Sequence, residues 1–111
     1  MEITYEDFRK VNIHVGTVIS VEENKKARKP ALVLEIDFGD DLGINKSSAQ
    51  ISDYYNESTL IGEQVIAVCN FPLKNIAGIE SEVLVLGALE KDGKVILVHP
   101  SRKVYNGLEI C

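Results

Sequence analysis

The sequence predicts an all-β fold, a small barrel of five main strands with two short helices. Three observations lead to this prediction. Aliphatic and β-branched residues alternate with polar ones at a period of two, most clearly over residues 13–23 and 31–39. Segments rich in Gly, Asp, Asn and Pro separate these runs. The chain has 111 residues, so we expect residues 1–111 to form a single domain with one core.

The first element is a short helix over residues 4–11. Thr4 is a residue type that caps helix N-termini, and Tyr5, Phe8 and Val11 follow at a spacing that places them on one face. A helix this short is not stable by itself in water. We therefore expect its apolar face to dock on another surface.

Three strands follow the helix. Residues 13–23 contain Gly16, which fits a sharp bend of a barrel strand, and residues 31–39 alternate in the same way. The alternation in the first strand predicts one shared face: Val15, Thr17, Ile19 and Val21. The third strand, residues 45–52, differs because one of its faces is polar: Lys46, Ser48 and Gln50.

The rest of the chain supplies a second helix or turn and the remaining strands. Ser52 and Asp53 are capping residues at the start of this helix or turn. Three further strands follow, over residues 64–71, 82–90 and 94–100. A turn at residues 91–93 joins the last two. With polar loops at 23–30 and 72–82, this order is typical of an OB-fold, which binds oligonucleotides on strands 2 and 3 and on the loops joining strands 1–2 and 4–5. An SH3-like barrel is the alternative.

Composition limits the function. No apolar run approaches the roughly 20 residues of a membrane span, and the acidic N-terminus is unlike a secretory signal, so we expect a cytoplasmic protein without membrane insertion. His14 and His99 are isolated, Cys69 and Cys111 are far apart, and no phosphate-binding glycine loop occurs. We therefore predict no catalytic residue, no metal and no cofactor. The net charge is −5, so any affinity for nucleic acid must come from a local cluster of cations.

Such a cluster lies in the loop between the first two strands. It contains four of the twelve cationic residues: Lys25, Lys26, Arg28 and Lys29. Beside an OB binding face, these side chains are typical of a phosphate-binding track, and the polar face of the third strand (Lys46, Ser48 and Gln50) would contact phosphate, sugar or base edges. A solvated hairpin loop and ordinary surface polarity are the alternatives.

Several motifs in order resemble the tRNA-binding OB domain family, and in particular its CsaA-type stand-alone members, which are described as tRNA-binding and as export-related chaperones. These motifs are "VGTV", "ARKPAL", "IDFG", "SSAQI", "VCNFPLKNIAGIESEVLVLG" and "NGLEI". The resemblance implies a protein that captures tRNA without catalysis. It also implies a homodimer joined through residues 1–12 and 91–111.

The resemblance adds further candidate residues for the tRNA site: Asn70, Phe71, Lys74, Ser81 and Glu82. Phe71 would stack on a base, or alternatively fill the core. The resemblance to export-related chaperones implies a dimer or peptide-binding surface that includes Tyr5, Phe8, Tyr54, Tyr55 and Ile79. Such a surface would suit a basic, apolar polypeptide that is unfolded or presecretory. The alternative places these side chains in the core or the dimer seam.

The sequence also departs from the family pattern. His14 stands where relatives carry arginine, and Ser48 stands where the synthetase-type domains carry glycine. Glu35 and Asp37 point outward from the second strand, beside the expected binding face. Carboxylates there repel phosphate, so these departures bear on RNA binding more than on the fold.

Overall fold

The computed structural model describes residues 1–111, which form two short helices and nine strands. The helices are α1 (Tyr5–Arg9) and α2 (Glu57–Leu60). The strands are β1 (Ile13–Glu23), β2 (Leu32–Asp37), β3 (Ile44–Ala49), β4 (Gln64–Val68), β5 (Lys74–Ile76), β6 (Ile79–Ser81), β7 (Leu84–Val85), β8 (Gly87–Leu89) and β9 (Val95–Leu97). None of the helices is long and apolar enough to pass through a bilayer.

Five antiparallel strands form the main sheet, in the order β3-β2-β1-β4-β7. The two edges of this sheet approach each other, because the N–H groups of Glu82 and Val83 both donate to the carbonyl of Lys46, at 2.8 and 3.3 Å. The sheet is therefore a nearly closed barrel. This confirms the predicted all-β OB-type barrel with one short helix between the third and fourth strands.

The barrel interior is filled by aliphatic side chains and one phenylalanine. Its most deeply buried members are Val18, Leu34, Ile36, Phe38, Leu60, Val65 and Ala67. Burying this apolar surface is the main stabilising contribution to the fold. Gly16 faces the same interior, where a Cβ atom would lie 2.6 Å from Ile36 Cγ2 and 2.8 Å from Phe38 Cδ1. Glycine is therefore required by the close approach of two side chains.

A β-bulge interrupts the predicted alternation of β1. The register with β2 shifts between Val18 and Ser20, so that Val18 enters the core and Ile19 is exposed. Val15 lies on the opposite side, where its N–H donates to Leu108 of the C-terminal segment. The prediction that Val15, Thr17, Ile19 and Val21 share one face is wrong, since a period of two cannot anticipate an inserted residue.

The second half of the chain is more broken than predicted. The strand expected over 82–90 divides into β7 and β8 at Leu86, whose N–H donates to Ile66. The expected loop at 72–82 contains the hairpin of β5 and β6. Helix α1 is capped by Thr4 as predicted, in a capping box with Asp7, but ends at Arg9. Helix α2 is capped by Asn56 instead of Ser52 or Asp53.

The C-terminal segment is held against β1 and β4 by a small polar network. The Gln64 side chain donates to the Val104 carbonyl at 2.7 Å and accepts from the Val104 N–H at 2.9 Å. Thr17 Oγ1 donates to Asn106 Oδ1 at 2.6 Å, and His14 Nδ1 lies 3.0 Å from the Gly107 carbonyl. These contacts lie along the first half of β1. The second half of the strand, from Ser20 to Glu23, instead lines a cleft.

Candidate nucleic-acid interface

A cleft lies over β1, β2 and β3, between the β1–β2 loop and the β5–β6 hairpin. Its volume is about 450 Å³, within the range of small-ligand sites. Three lysines line it: Lys25, Lys26 and Lys46. We call it the lysine cleft. Its remaining walls are Ser20, Glu22, Glu23, Asn24, Val33, Glu35, Ala77, Gly78 and Ile79. This is the face on which an OB-fold binds oligonucleotides.

Asn24 positions both walls of the lysine cleft. Its Oδ1 accepts from the Lys26 N–H at 3.3 Å, which folds the start of the β1–β2 loop into a turn. Its Nδ2 donates to the Ile76 carbonyl of the hairpin at 3.2 Å and lies 3.5 Å from Ser48 Oγ of β3. Asn24 is buried, so these contacts are shielded from water.

The cations around this face have no carboxylate partners. The ion pairs of the chain are Lys10–Asp7 and Lys94–Asp92, both at 3.7 Å. Six predicted cations are therefore exposed and unpaired: Lys25, Lys26, Arg28, Lys29, Lys46 and Lys74. They are available to a polyanion without first breaking an internal salt bridge.

Carboxylates offset these charges within the cleft. Its lining includes three of them (Glu22, Glu23 and Glu35) against the three lysines. Glu35 is half-buried, and its Oε1 accepts from Ser20 Oγ at 2.7 Å. The lining is thus charge-balanced, and attraction for phosphate depends on where each cation sits.

The polar face of the third strand is only partly exposed. Lys46 projects into the lysine cleft, whereas the Ser48 N–H donates to Ser81 Oγ at 3.1 Å. Glu82 Oε1 accepts from the Lys46 N–H at 3.0 Å. Ser81 and Glu82 thus satisfy the backbone of the edge strand β3, and Gln50 is exposed after the strand ends.

Three further predicted RNA contacts, Asn70, Phe71 and Lys74, do not line the lysine cleft. Asn70 links β4 to the end of α1, because its Oδ1 accepts from the Asn12 N–H at 2.9 Å and its Nδ2 donates to the Lys10 carbonyl at 2.7 Å. Phe71 is 54% exposed, which rules out the alternative of a core plug. Lys74 is exposed at the start of β5.

A second, larger cleft of about 1080 Å³ lies on the other side of the β1–β2 loop, against residues 52–57. We call it the tyrosine cleft, because Tyr54 and Tyr55 line it. Its charged lining is two cations and four carboxylates: Lys25, Arg28, Glu22, Glu23, Asp53 and Glu57. The tyrosine cleft is therefore acidic and aromatic.

The two tyrosines are anchored to the C-terminal hairpin. Tyr54 Oη donates to Glu90 Oε1 at 2.5 Å, and this hydrogen bond is the main cause that raises the pKa of Tyr54 to about 12. Tyr55 Oη accepts from the Leu97 N–H at 2.9 Å. Lys94 Nζ lies 5.7 Å from the centre of the Tyr54 ring.

The predicted peptide-binding side chains are not gathered in one groove. Tyr54 and Tyr55 line the tyrosine cleft, and Ile79 lines the lysine cleft. Phe8 and Tyr5 lie on α1, where Phe8 is half-buried and Tyr5 exposed, and line neither cleft. Their role in dimerisation or in peptide binding stays a prediction.

Sequence reasoning missed the residues that shape the cleft. The sequence analysis singles out the lysines of the β1–β2 loop but not Asn24, although an Asn at the end of a strand is itself a turn signal. The Ser20–Glu35 hydrogen bond depends on the β-bulge, which shifts Ser20 opposite Glu35. No sequence pattern marks that shift.

Comparison with known proteins identifies the fold family. The model of the putative tRNA binding domain matches residues 13–109, which is most of the chain and includes every residue of the lysine cleft. The chain belongs to this family. The resemblance inferred from its motifs is thereby confirmed.

Solved structures of whole chains are similar to this member of the tRNA binding domain family. The chaperone CsaA from Bacillus anthracis str. Ames is 49% identical, with a TM-score of 0.95 over 100% of both chains. The CsaA chaperone protein from Picrophilus torridus is 48% identical, with a TM-score of 0.92 over 99% of this chain and 100% of that one. These similarities confirm the predicted CsaA-type architecture.

Larger enzymes contain the same domain. The methionine–tRNA ligase of Archaeoglobus fulgidus is 36% identical over 110 residues, which is 99% of this chain. That match spans only 16% of the ligase. The similarity therefore concerns one segment of the enzyme.

Proposed function

We propose that the protein is a non-catalytic, cytoplasmic tRNA-binding module that recognises tRNA by its backbone and shape through the lysine cleft and its surroundings. The main support is that three lysines without ion-pair partners converge on the binding face of a tRNA-binding-domain fold. Arg28 and Lys29 extend this cationic surface along the β1–β2 loop, and Lys74 extends it at the hairpin. Phosphates of a folded RNA would follow this track.

Charge reversal with a matched control tests this proposal. We expect Lys25→Glu combined with Lys46→Glu to abolish retention of tRNA in a filter-binding assay at low salt. Both side chains are exposed and unpaired, so the midpoint of thermal unfolding should stay nearly unchanged. Lys91→Glu combined with Lys103→Glu changes the net charge equally at residues that line neither cleft, and should retain tRNA as long as light scattering gives the same mass as for the unmodified protein. Absence of tRNA binding by the unmodified protein at low salt would eliminate the proposal.

We further propose that the protein works as a homodimer. Six large apolar side chains are exposed in the C-terminal third of the chain: Leu84, Leu89, Ile96, Val98, Tyr105 and Leu108. Tyr5 is exposed on α1 as well, where a helix of five residues needs a docking surface. Contact with a second copy of the chain would remove such side chains from water, which is favourable. Two tRNA-binding faces on one particle would raise avidity without any new contact.

Light scattering at micromolar concentration tests the dimer. We expect twice the 12.3 kDa mass of the chain for the unmodified protein. Leu89→Glu places a charge on a position that is 75% exposed and should give a folded monomer with an unchanged circular dichroism spectrum. A monomer mass for the unmodified protein would refute this part of the proposal.

Binding of unfolded polypeptides is the second candidate function. It is supported by the acidic, aromatic lining of the tyrosine cleft and by the similarity to two CsaA chaperones. A basic, apolar segment of a presecretory chain would complement this lining. We expect Asp53→Lys with Glu57→Lys to weaken suppression of the aggregation of heat-denatured citrate synthase, while Lys25→Glu with Lys46→Glu does not. The reverse pattern, or no suppression by the unmodified protein, would count against it.

A further inference from the structure

Glu35 occupies a position in the lysine cleft where a carboxylate is a disadvantage for phosphate binding. It lies in the middle of β2, with Ser20 of β1 and Lys46 of β3 as its cross-strand partners. Side chains paired in this way stand close together on one face of a sheet. All three line the lysine cleft, so Glu35 faces the ligand and not the core.

The carboxylate of Glu35 is oriented and still has free acceptor capacity. Ser20 Oγ donates to Oε1 at 2.7 Å and fixes the side chain, while Oε2 accepts no hydrogen bond from the protein. No cation lies within ion-pair distance of Glu35, although Lys46 is its neighbour. The second oxygen of this half-buried carboxylate can therefore accept a hydrogen bond from a donor on the ligand.

The surroundings of Glu35 suit a base more than a phosphate. Val33 lies on the same face of β2, and Ile79 lies across the cleft on the hairpin, so both supply apolar surface for the faces of a planar ring. The three lysines line the same cleft and can bind the phosphates on either side of that ring. A volume of about 450 Å³ accommodates one nucleotide.

We propose that Glu35 is a specificity-determining residue that selects guanine in a single-stranded segment bound in the lysine cleft. Guanine presents two adjacent donors, N1–H and N2–H, which a carboxylate accepts side by side. Uracil presents one N–H between two carbonyls, and the exposed edges of adenine and cytosine place an acceptor beside their amino groups. These acceptors repel a carboxylate. The proposal rests on the proposed RNA-binding function and names the base that the same site prefers.

Fluorescence anisotropy with labelled RNA heptamers tests the proposal. The heptamers are oligouridine with guanine, inosine or uracil at the central position, and inosine differs from guanine by the missing N2 amino group. We expect the unmodified protein to prefer guanine over uracil by about 5- to 150-fold, with inosine between them. Glu35→Gln should reduce this preference to less than about 3-fold, because an amide cannot accept two hydrogen bonds side by side.

Glu22→Gln is the matched control. It removes a negative charge from the same cleft, but at an exposed side chain that no serine orients. It should raise the affinity for all three heptamers by the same factor and preserve the preference for guanine. Glu35→Gln should instead raise the affinity for the uracil heptamer while the affinity for the guanine heptamer falls. A change of fold or stability alone would not move two ligands in opposite directions.

The outcomes separate the two proposals. If neither tRNA nor any heptamer binds, the RNA-binding function fails and the guanine preference fails with it. If tRNA binds but the heptamers bind equally or not at all, only the guanine preference is overturned. It is also overturned if Glu35→Gln keeps the full preference.

Discussion

The unpaired cations make a quantitative prediction for the salt dependence of tRNA binding. Three of them line the lysine cleft (Lys25, Lys26 and Lys46), and three more lie on the β1–β2 loop or at the β5–β6 hairpin (Arg28, Lys29 and Lys74). Each cation that neutralises a phosphate contributes about −0.7 to −0.9 to the slope of log K against log salt concentration. Six contacts on one protomer give a slope of about −4.2 to −5.4. Between 50 and 200 mM salt, the affinity should then fall about 300- to 2,000-fold.

A variant with the four β1–β2 loop cations changed to glutamine isolates the loop contribution. Only Lys46 and Lys74 remain, so the slope should fall to about one third of its original value, and the loss over the same salt range to about 7- to 12-fold. This ratio holds whether tRNA touches one protomer or two. Lys91→Gln should leave the slope unchanged, because Lys91 lines neither cleft. Filter binding at six salt concentrations gives the slopes.

Two results would refute this reasoning. An unmodified protein with a slope shallower than about −1.4 engages fewer than two phosphates, which is too few for a cationic track. A loop variant with the original slope would mean that tRNA binds elsewhere. A thermal melt checks the stability of the loop variant. Its midpoint should be nearly unchanged, since the loop side chains are exposed and form no ion pairs.

Three further predictions concern the supporting structure. Gly16→Ala forces a Cβ into Ile36 and should destabilise the fold by about 1–3 kcal/mol in urea titrations; a neutral effect would contradict the packing argument. Asn24→Ala should cost about 1–3 kcal/mol and also flatten the salt slope of tRNA binding, whereas a purely structural role would leave the slope unchanged. Tyr54 should titrate near 12 by ultraviolet absorbance, and Glu90→Gln should return its pKa toward 10.0. Because folding raises the pKa of Tyr54, its hydrogen bond to Glu90 stabilises the fold fully below about pH 10. This contribution to stability is lost as the pH rises toward 12.

The barrel was predictable because local and global signals agree over most of the chain. The alternating pattern of β2 and the N-cap at Thr4 both matched the structure. What could not be predicted depends on contacts distant in sequence. The bulge in β1 is set by pairing with β2, and β7 separates from β8 where Leu86 bonds to Ile66.

The candidate site was predictable in its charges but not in its architecture. The lysine-rich loop is visible by composition alone, and its proximity to Lys46 follows from the fold. By contrast, Ser81 and Glu82 are expected as ligand contacts from the resemblance, and the structure shows that both also bond to the backbone of β3; their contact with RNA stays a prediction. A sequence motif cannot distinguish a side chain that binds a ligand from one that binds an edge strand, because both uses require the same donors and acceptors.

The balance of charge in the two clefts bears on how an acidic protein holds a polyanion. The net charge of −5 is largely screened beyond about 10 Å at 0.1 M salt and repels tRNA over longer distances at lower salt, so the approach is not steered by attraction. Attraction arises only when phosphates reach the unpaired lysines, which sit beside carboxylates in the same cleft. Salt screens the long-range repulsion and weakens the short-range contacts at once. The association rate should therefore change little or rise with salt, so the loss of affinity resides in faster dissociation.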